Sequence, residues 1–178
     1  MSQFCSQTLK GLGLDCGTSL GGIKKAFIAN YADVAEVTLD EVSGEITGIE
    51  MVGEAKFMPF AFRKQTSSMT STLTVEPSSG VNYVSTQLDL VFTKMETKKR
   101  LAMSSLALGQ LAVIVQDSNN VYYYLGYDDY VSATGGTGET SVEKGGRNAY
   151  SISLTDESTT FPYTIQESAV EAVIGTVE

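Results

Sequence analysis

The sequence predicts a mainly β protein, a β-sandwich or barrel with one flanking α-helix and a long inner hairpin. Three observations carry that expectation. Charged residues make up only 19% of the 178, and Ser, Thr and Gly fill much of the remainder, a mixture that suits strands and turns better than long surface helices. Residues 65–92 alternate apolar and hydroxyl side chains on both sides of the turn Pro77-Ser78-Ser79-Gly80, the period of two expected of paired strands. One helix is well signalled, between Thr93 and Gly109. The length suits one domain with its own core. It divides into an N-terminal arm (1–22), the β domain (23–166) and an acidic C-terminal tail (167–178).

Gly11, Gly13, Gly17, Gly21 and Gly22 give the arm an irregular character. Residues 23–31 form the first expected strand. Residues 37–39 and 45–52 follow as short strands around Ser43-Gly44. Residues 56–64 alternate again, and Pro59 places that strand at an edge or a bulge. In the long hairpin, Ser68, Thr70, Thr72, Thr74 and Glu76 share one face of the outgoing strand. Tyr83, Ser85, Gln87 and Asp89 share one face of the return, opposite Val84, Thr86, Leu88, Leu90 and Phe92. A two-stranded ribbon of that length must pack on something to persist in water.

Thr93 and Glu96 have capping-box spacing, and Gly109 stands where a helix would stop. Lys98, Lys99 and Arg100 in its first turn oppose the helix dipole. The apolar run 111–115 predicts a central strand buried on both faces. Asp117-Ser118-Asn119-Asn120 is a turn, residues 121–127 its partner strand, and 132–146 a Gly-rich mobile loop. Residues 149–154 and 163–166 complete the strands.

No histidine is present, which removes the usual general base, the Ser-His-Asp arrangement and most zinc sites. Cys5 and Cys16 have no activating neighbour in sequence, and without a visible export signal their expected state is reduced. Gly135-Gly136-Thr137-Gly138 lacks the Lys-Ser or Lys-Thr of a phosphate loop. Asp128-Asp129 lacks further oxygen ligands at a metal-binding spacing. The residues thus imply no catalytic group, metal or cofactor, and the expectation is a protein that is not an enzyme. No apolar run approaches the roughly 20 residues of a membrane span. Net charge is −9, and it is uneven. Residues 1–127 hold ten basic and twelve acidic residues (−2), while 128–178 hold two and nine (−7). That sign disfavours nucleic-acid binding. Tyr122, Tyr123 and Tyr124 suit the core and a subunit contact better than base stacking.

The order of these elements resembles the tail-tube (major tail) proteins of long-tailed bacteriophages. It runs from the strand over 56–64 through the Ser/Thr-rich hairpin, the helix after Thr93 and the run 110–117 with its Asn turn. A Gly-rich stretch then leads to Asn148-Ala149-Tyr150-Ser151-Ile152-Ser153-Leu154. The resemblance begins near Ile23 and rests on element order and composition, since that family has no short diagnostic motif.

It implies a tail-tube-like sandwich or barrel, self-assembly into stacked, hexameric rings, and inner strands that join between subunits around a lumen. Loops and terminal arms would bridge successive rings. The implied partners are further copies of the chain, a tape-measure protein, tail terminator and baseplate proteins, and double-stranded DNA that passes without specific binding. The implied location is the virion tail, assembled in the host cytoplasm without a membrane.

Under this resemblance the lumen-facing residues are Thr70, Thr72, Thr74, Glu76, Ser85, Gln87 and Asp89. Hydroxyls and an amide offer no strong anchor to phosphate, and the two carboxylates repel it. A one-residue change of register would exchange the two faces. Other virion β proteins (tail terminator, head-tail joining, capsid decoration) and injection-system tube subunits have related architectures. A β-sandwich module holding a ligand on its tyrosine strand is the alternative from a different class.

Overall fold

The run Leu111-Ala112-Val113-Ile114-Val115 has no polar face, so a strand made from it must be covered on both sides. The computed structural model, which describes residues 11–14 and 16–176, places it in that setting. The described elements are β1 (Ile23–Asn30), β2 (Val34–Asp40), β3 (Glu45–Met51), β4 (Met58–Ala61), β5 (Ser68–Glu76), β6 (Val81–Thr93), α1 (Thr97–Leu108), β7 (Leu111–Asp117), β8 (Tyr122–Leu125), β9 (Ser132–Thr140), β10 (Asn148–Ser158), β11 (Tyr163–Ile165) and α2 (Glu167–Val173). A seven-stranded sheet has the order β2-β3-β11-β8-β7-β1-β4, and a four-stranded sheet the order β5-β6-β10-β9. The protein is a mainly β sandwich flanked by α1, with α2 as a second, shorter helix.

Two cores follow from the alternation of β1 and β7. Ala26, Ile28, Val113 and Val115 face the inner side of the four-stranded sheet, meeting Leu88, Leu90, Ile152 and Leu154. The intervening residues Phe27, Ala29, Ala112 and Ile114 face the other way, toward Ile46, Phe57, Tyr124 and α2. Tyr124 and Phe57 stack edge to face at 6.4 Å, and burial pushes the Tyr124 phenol well above its ordinary range.

The described part of the arm, 11–14 and 16–22, has no regular structure apart from bends. It is held against the β7–β8 turn, where Asn119 accepts from the Leu20 N–H and donates to the Leu20 carbonyl, both at 2.9 Å. Cys16 is exposed and free, while Cys5 lies outside the described residues.

Three expectations require correction. Residues 132–146 are not simply a loop, because 132–140 form β9, paired along β10. Its glycines permit close approach: a Cβ on Gly136 would stand 2.9 Å from the Ser151 carbonyl oxygen and 3.6 Å from Met103 of α1. Gly136→Ala is therefore expected to cost about 1–3 kcal/mol in urea unfolding. Gly135→Ala, whose Cβ meets open space, should change stability by less than about 1 kcal/mol.

The Thr93–Glu96 capping box does not form either. Thr93 is the last residue of β6, paired with Ala149, and no side chain caps α1. Lys99 Nζ instead donates to the Thr93 and Lys94 carbonyls, and Glu96 pairs with Lys94 at 2.5 Å. The strand expected over 56–64 shortens to β4, an edge strand as Pro59 implied. The acidic tail, for which the sequence implies no particular structure, begins with α2, which buries Ala169, Val170 and Val173 and leaves Glu167 and Glu171 outside.

Candidate assembly surface

Each of the hairpin residues singled out above lies on one face of the four-stranded sheet. Register decides this: Thr70 pairs with Gln87, Thr72 with Ser85, Thr74 with Tyr83, Ser68 with Asp89, and Glu76 with Val81. Directly paired residues point to the same side of an antiparallel sheet. Leu88, Leu90, Ile152 and Leu154 take the opposite side, in the core, so Thr70, Thr72, Thr74, Glu76, Ser85, Gln87 and Asp89 face away from it.

The face extends further than the sequence reading reached. β10 adds Ser151, Ser153, Thr155 and Glu157, opposite Val91, Asp89, Gln87 and Ser85. β9 adds Thr134 and Thr137, because its register shift at Ser153/Leu154 turns both Thr134 and Gly135 outward. A loop over 132–146 would give these positions no fixed face; pairing with β10 gives them one. The signal that could have found them was the hydroxyl alternation of Ser151 and Ser153, which needs a partner strand on its free side.

Several side chains on this face hydrogen-bond one another. Ser153 Oγ donates to Asp89 at 2.5 Å, and Gln87 Nε2 donates to both oxygens of the same carboxylate at 3.1 Å. Thr137 and Ser151 hydroxyls are 2.6 Å apart, and Thr134 and Thr155 hydroxyls 3.3 Å. No Lys or Arg occurs anywhere in β5, β6, β9 or β10. The result is a hydroxyl-rich face with negative charge, whose four strands supply no cation to hold a phosphate.

The two borders of this sheet, β5 and β9, have no partner strand among the described residues. Unpaired borders of this kind invite pairing with another chain. Strand directions alternate across the sheet, so the β9 border of one copy would meet the β5 border of the next antiparallel. The hairpin also outruns its neighbour. β10 pairs with β6 only as far as Val84, leaving Leu73, Val75 and Val81 about half exposed near the hairpin tip.

Behind the face lies a buried polar stripe. Ser71 and Thr86 hydroxyls are 2.8 Å apart, and Asp156, opposite Thr86, is 2% exposed and accepts from the Gly126 N–H at 3.1 Å. Burial pushes the Asp156 carboxyl up to about 6, with Asp128, Asp129 and Glu157 adding repulsion and the Gly126 bond opposing it. The folded chain thus holds this proton more tightly than the unfolded chain, whose ordinary value is 3.8. Ionisation costs stability, a penalty absent below pH 3.8 and fully present above about 6. Asp156→Asn keeps the acceptor and removes the charge. It should stabilise the fold by about 1–3 kcal/mol at pH 7 and bring little gain at pH 3.5, measured by urea unfolding at both.

The other candidate residues separate. Tyr124 is core, Tyr122 packs beside it and its hydroxyl accepts from Gln116 at 3.0 Å, and Tyr123 is half-buried. Asp128 accepts from the N–H and hydroxyl of Thr159, at 2.7 and 2.8 Å. Among the described residues no group of three His, Cys, Asp or Glu side chains is placed to hold a metal.

Neither protein-family models nor curated proteins match this sequence. Among solved structures, a chain described as "Virion of native gene transfer agent (GTA) particle" aligns over 76% of this chain and 98% of its own. The pair share 12% identity at a TM-score of 0.36, a likeness too slight to bear on fold or role.

Proposed function

We propose that this chain is a structural subunit of a phage tail tube, without catalytic activity, in which copies join edge to edge so that the four-stranded sheets form one closed wall. The observation that carries this reading is the four-stranded sheet itself. It combines a hydroxyl-rich outer face lacking any basic residue with two borders that are unpaired among the described residues and of matching, antiparallel sense. Closing such sheets around an axis removes the exposed borders. It also leaves the polar face lining a wet channel that repels DNA phosphate rather than binding it.

In this reading the ring is hexameric and rings stack into the tail of a virion, assembled in the host cytoplasm. The channel holds a tape-measure protein before it passes the genome, and terminator and baseplate proteins meet the tube's ends. Size-exclusion chromatography with negative-stain microscopy of the purified chain tests the reading. Rings or tubes with a central pore are expected. A species that stays monomeric across protein concentration and salt contradicts it, and a solid or open aggregate without a pore favours a different virion β protein.

A further inference from the structure

The seven-stranded sheet carries opposite charge at its two ends. Residues 26–55, which include β2 and β3, contain seven acidic residues and no basic one. Cross-strand register makes this costly, because Glu36 stands directly opposite Glu50 and Asp40 opposite Glu45. Like charges in that relation are mutually destabilising. Among the described residues no ion pair joins any of these carboxylates to a cation. At the β2–β3 turn, Asp40 accepts from the Ser43 hydroxyl at 2.7 Å. Between them Val42 projects, 94% exposed, with Glu41 beside it.

The other end of the sheet is β4. Residues 56–64 and 94–100 hold seven of the chain's twelve basic residues and one acid, Glu96. Between β4 and α1 lies a hollow of about 270 Å³ whose floor is Pro59, Phe60, Phe92 and Ala102, with Lys98 and Lys99 at its rim. Phe60 and Phe92 rings meet at 5.8 Å along that floor. Lys99 is tied to the Thr93 and Lys94 carbonyls and pairs with Glu96 at 3.9 Å, whereas Lys98 is exposed and makes no ion pair among the described residues.

We propose that this hollow receives the β2–β3 turn of a second copy, with Val42 entering over Phe92 and Ala102 while Glu41 and Glu45 face Lys98 and Lys99. An apolar tip ringed by carboxylates matches an apolar floor rimmed by ammonium groups, and Glu41 and Glu45 gain cationic partners that they lack among the described residues. The two surfaces differ, so the contact is heterologous and propagates from copy to copy. It rests on the self-association in the reading above but uses the other sheet and does not require a pore.

The test uses full-length chains with Cys5 and Cys16 replaced by Ser. A Val42→Cys chain is mixed with an Ala102→Cys chain under mild oxidation, beside a control mixture of Val42→Cys with Thr72→Cys. A mixed disulfide joining positions 42 and 102, in at least about tenfold excess over the control, is expected from local concentration at the contact. Equal or lower yield than the control overturns the proposal.

In sedimentation velocity, Lys98→Glu should weaken self-association about tenfold at low salt, and Glu41→Lys in the same chain should restore most of it. No effect of either change also overturns it. If pored rings form without the 42–102 bond, this contact fails and the tube reading survives. If the bond forms in assemblies without a pore, the contact survives and the tube reading fails.

Discussion

Lysines placed together at Thr70, Thr72 and Ser85 are expected to leave folding and assembly largely intact while cutting infectivity of the resulting particles by about tenfold or more. The three positions are neighbours on the outer face, with Thr72 directly opposite Ser85 and Thr70 two residues along. Their side chains point away from the core, so folding loses only cross-strand repulsion of roughly 0.2–1 kcal/mol per pair. The functional effect is larger because the four strands carry no basic residue. Three new cations per subunit, repeated around every ring, would convert a repelling wall into one that holds phosphate. Titre and DNA release are measured on particles built from the variant. Normal infectivity with all three lysines in place would remove this face from the DNA path.

Phe57→Ala should produce the largest loss of stability of any single change considered, about 3–5 kcal/mol in urea unfolding. Phe57 is 0% exposed, and its ring packs on Tyr124 in the second core. Its backbone also ties the end of the chain to the body. The Phe57 N–H donates to the Val173 carbonyl at 2.9 Å, and the Gly175 N–H donates to the Phe57 carbonyl at 2.8 Å. Removing the ring opens a cavity beneath α2 at the point where that helix is anchored. A domain of this size has a total stability of only about 5–15 kcal/mol, so α2 and β11 should lose protection first. A loss under about 1 kcal/mol would mean that α2 packs independently of Phe57.

Legibility of the fold followed how locally each element is determined. β7 could be read because its five leading residues are all apolar and bounded by Asp117-Ser118-Asn119-Asn120, a turn in which Asp117 accepts from the N–H groups of Asn119 and Val121. The β5–β6 hairpin could be read because each strand alternates for nine residues or more around Gly80, which adopts φ +69°. The face assignment of Thr70, Thr72 and Ser85 followed from the same alternation once register was known.

β9 could not be read, because Gly135, Gly136 and Gly138 have low intrinsic strand preference. It is a strand only by virtue of β10 beside it and Met103 beneath it. Thr93 gave a false cap signal because the same residue is taken up in pairing with Ala149, a long-range contact invisible in a four-residue window. α2 did carry a signal in Ala169, Val170 and Val173, one apolar stripe of a short helix. The stripe is too short to fix a helix on its own, and Glu167 and Glu171 lie on its exposed side.

Amide hydrogen exchange reports whether β5 and β9 are the joining borders of the assembly. Exchange is compared between assembled particles and chains dissociated at low concentration. Added protection in the assembly is predicted over Ser68–Glu76 and Ser132–Thr140, with little change in the already buried Leu111–Asp117. Assemblies in which both border strands exchange as fast as in the free chain would show that copies do not join along β5 and β9.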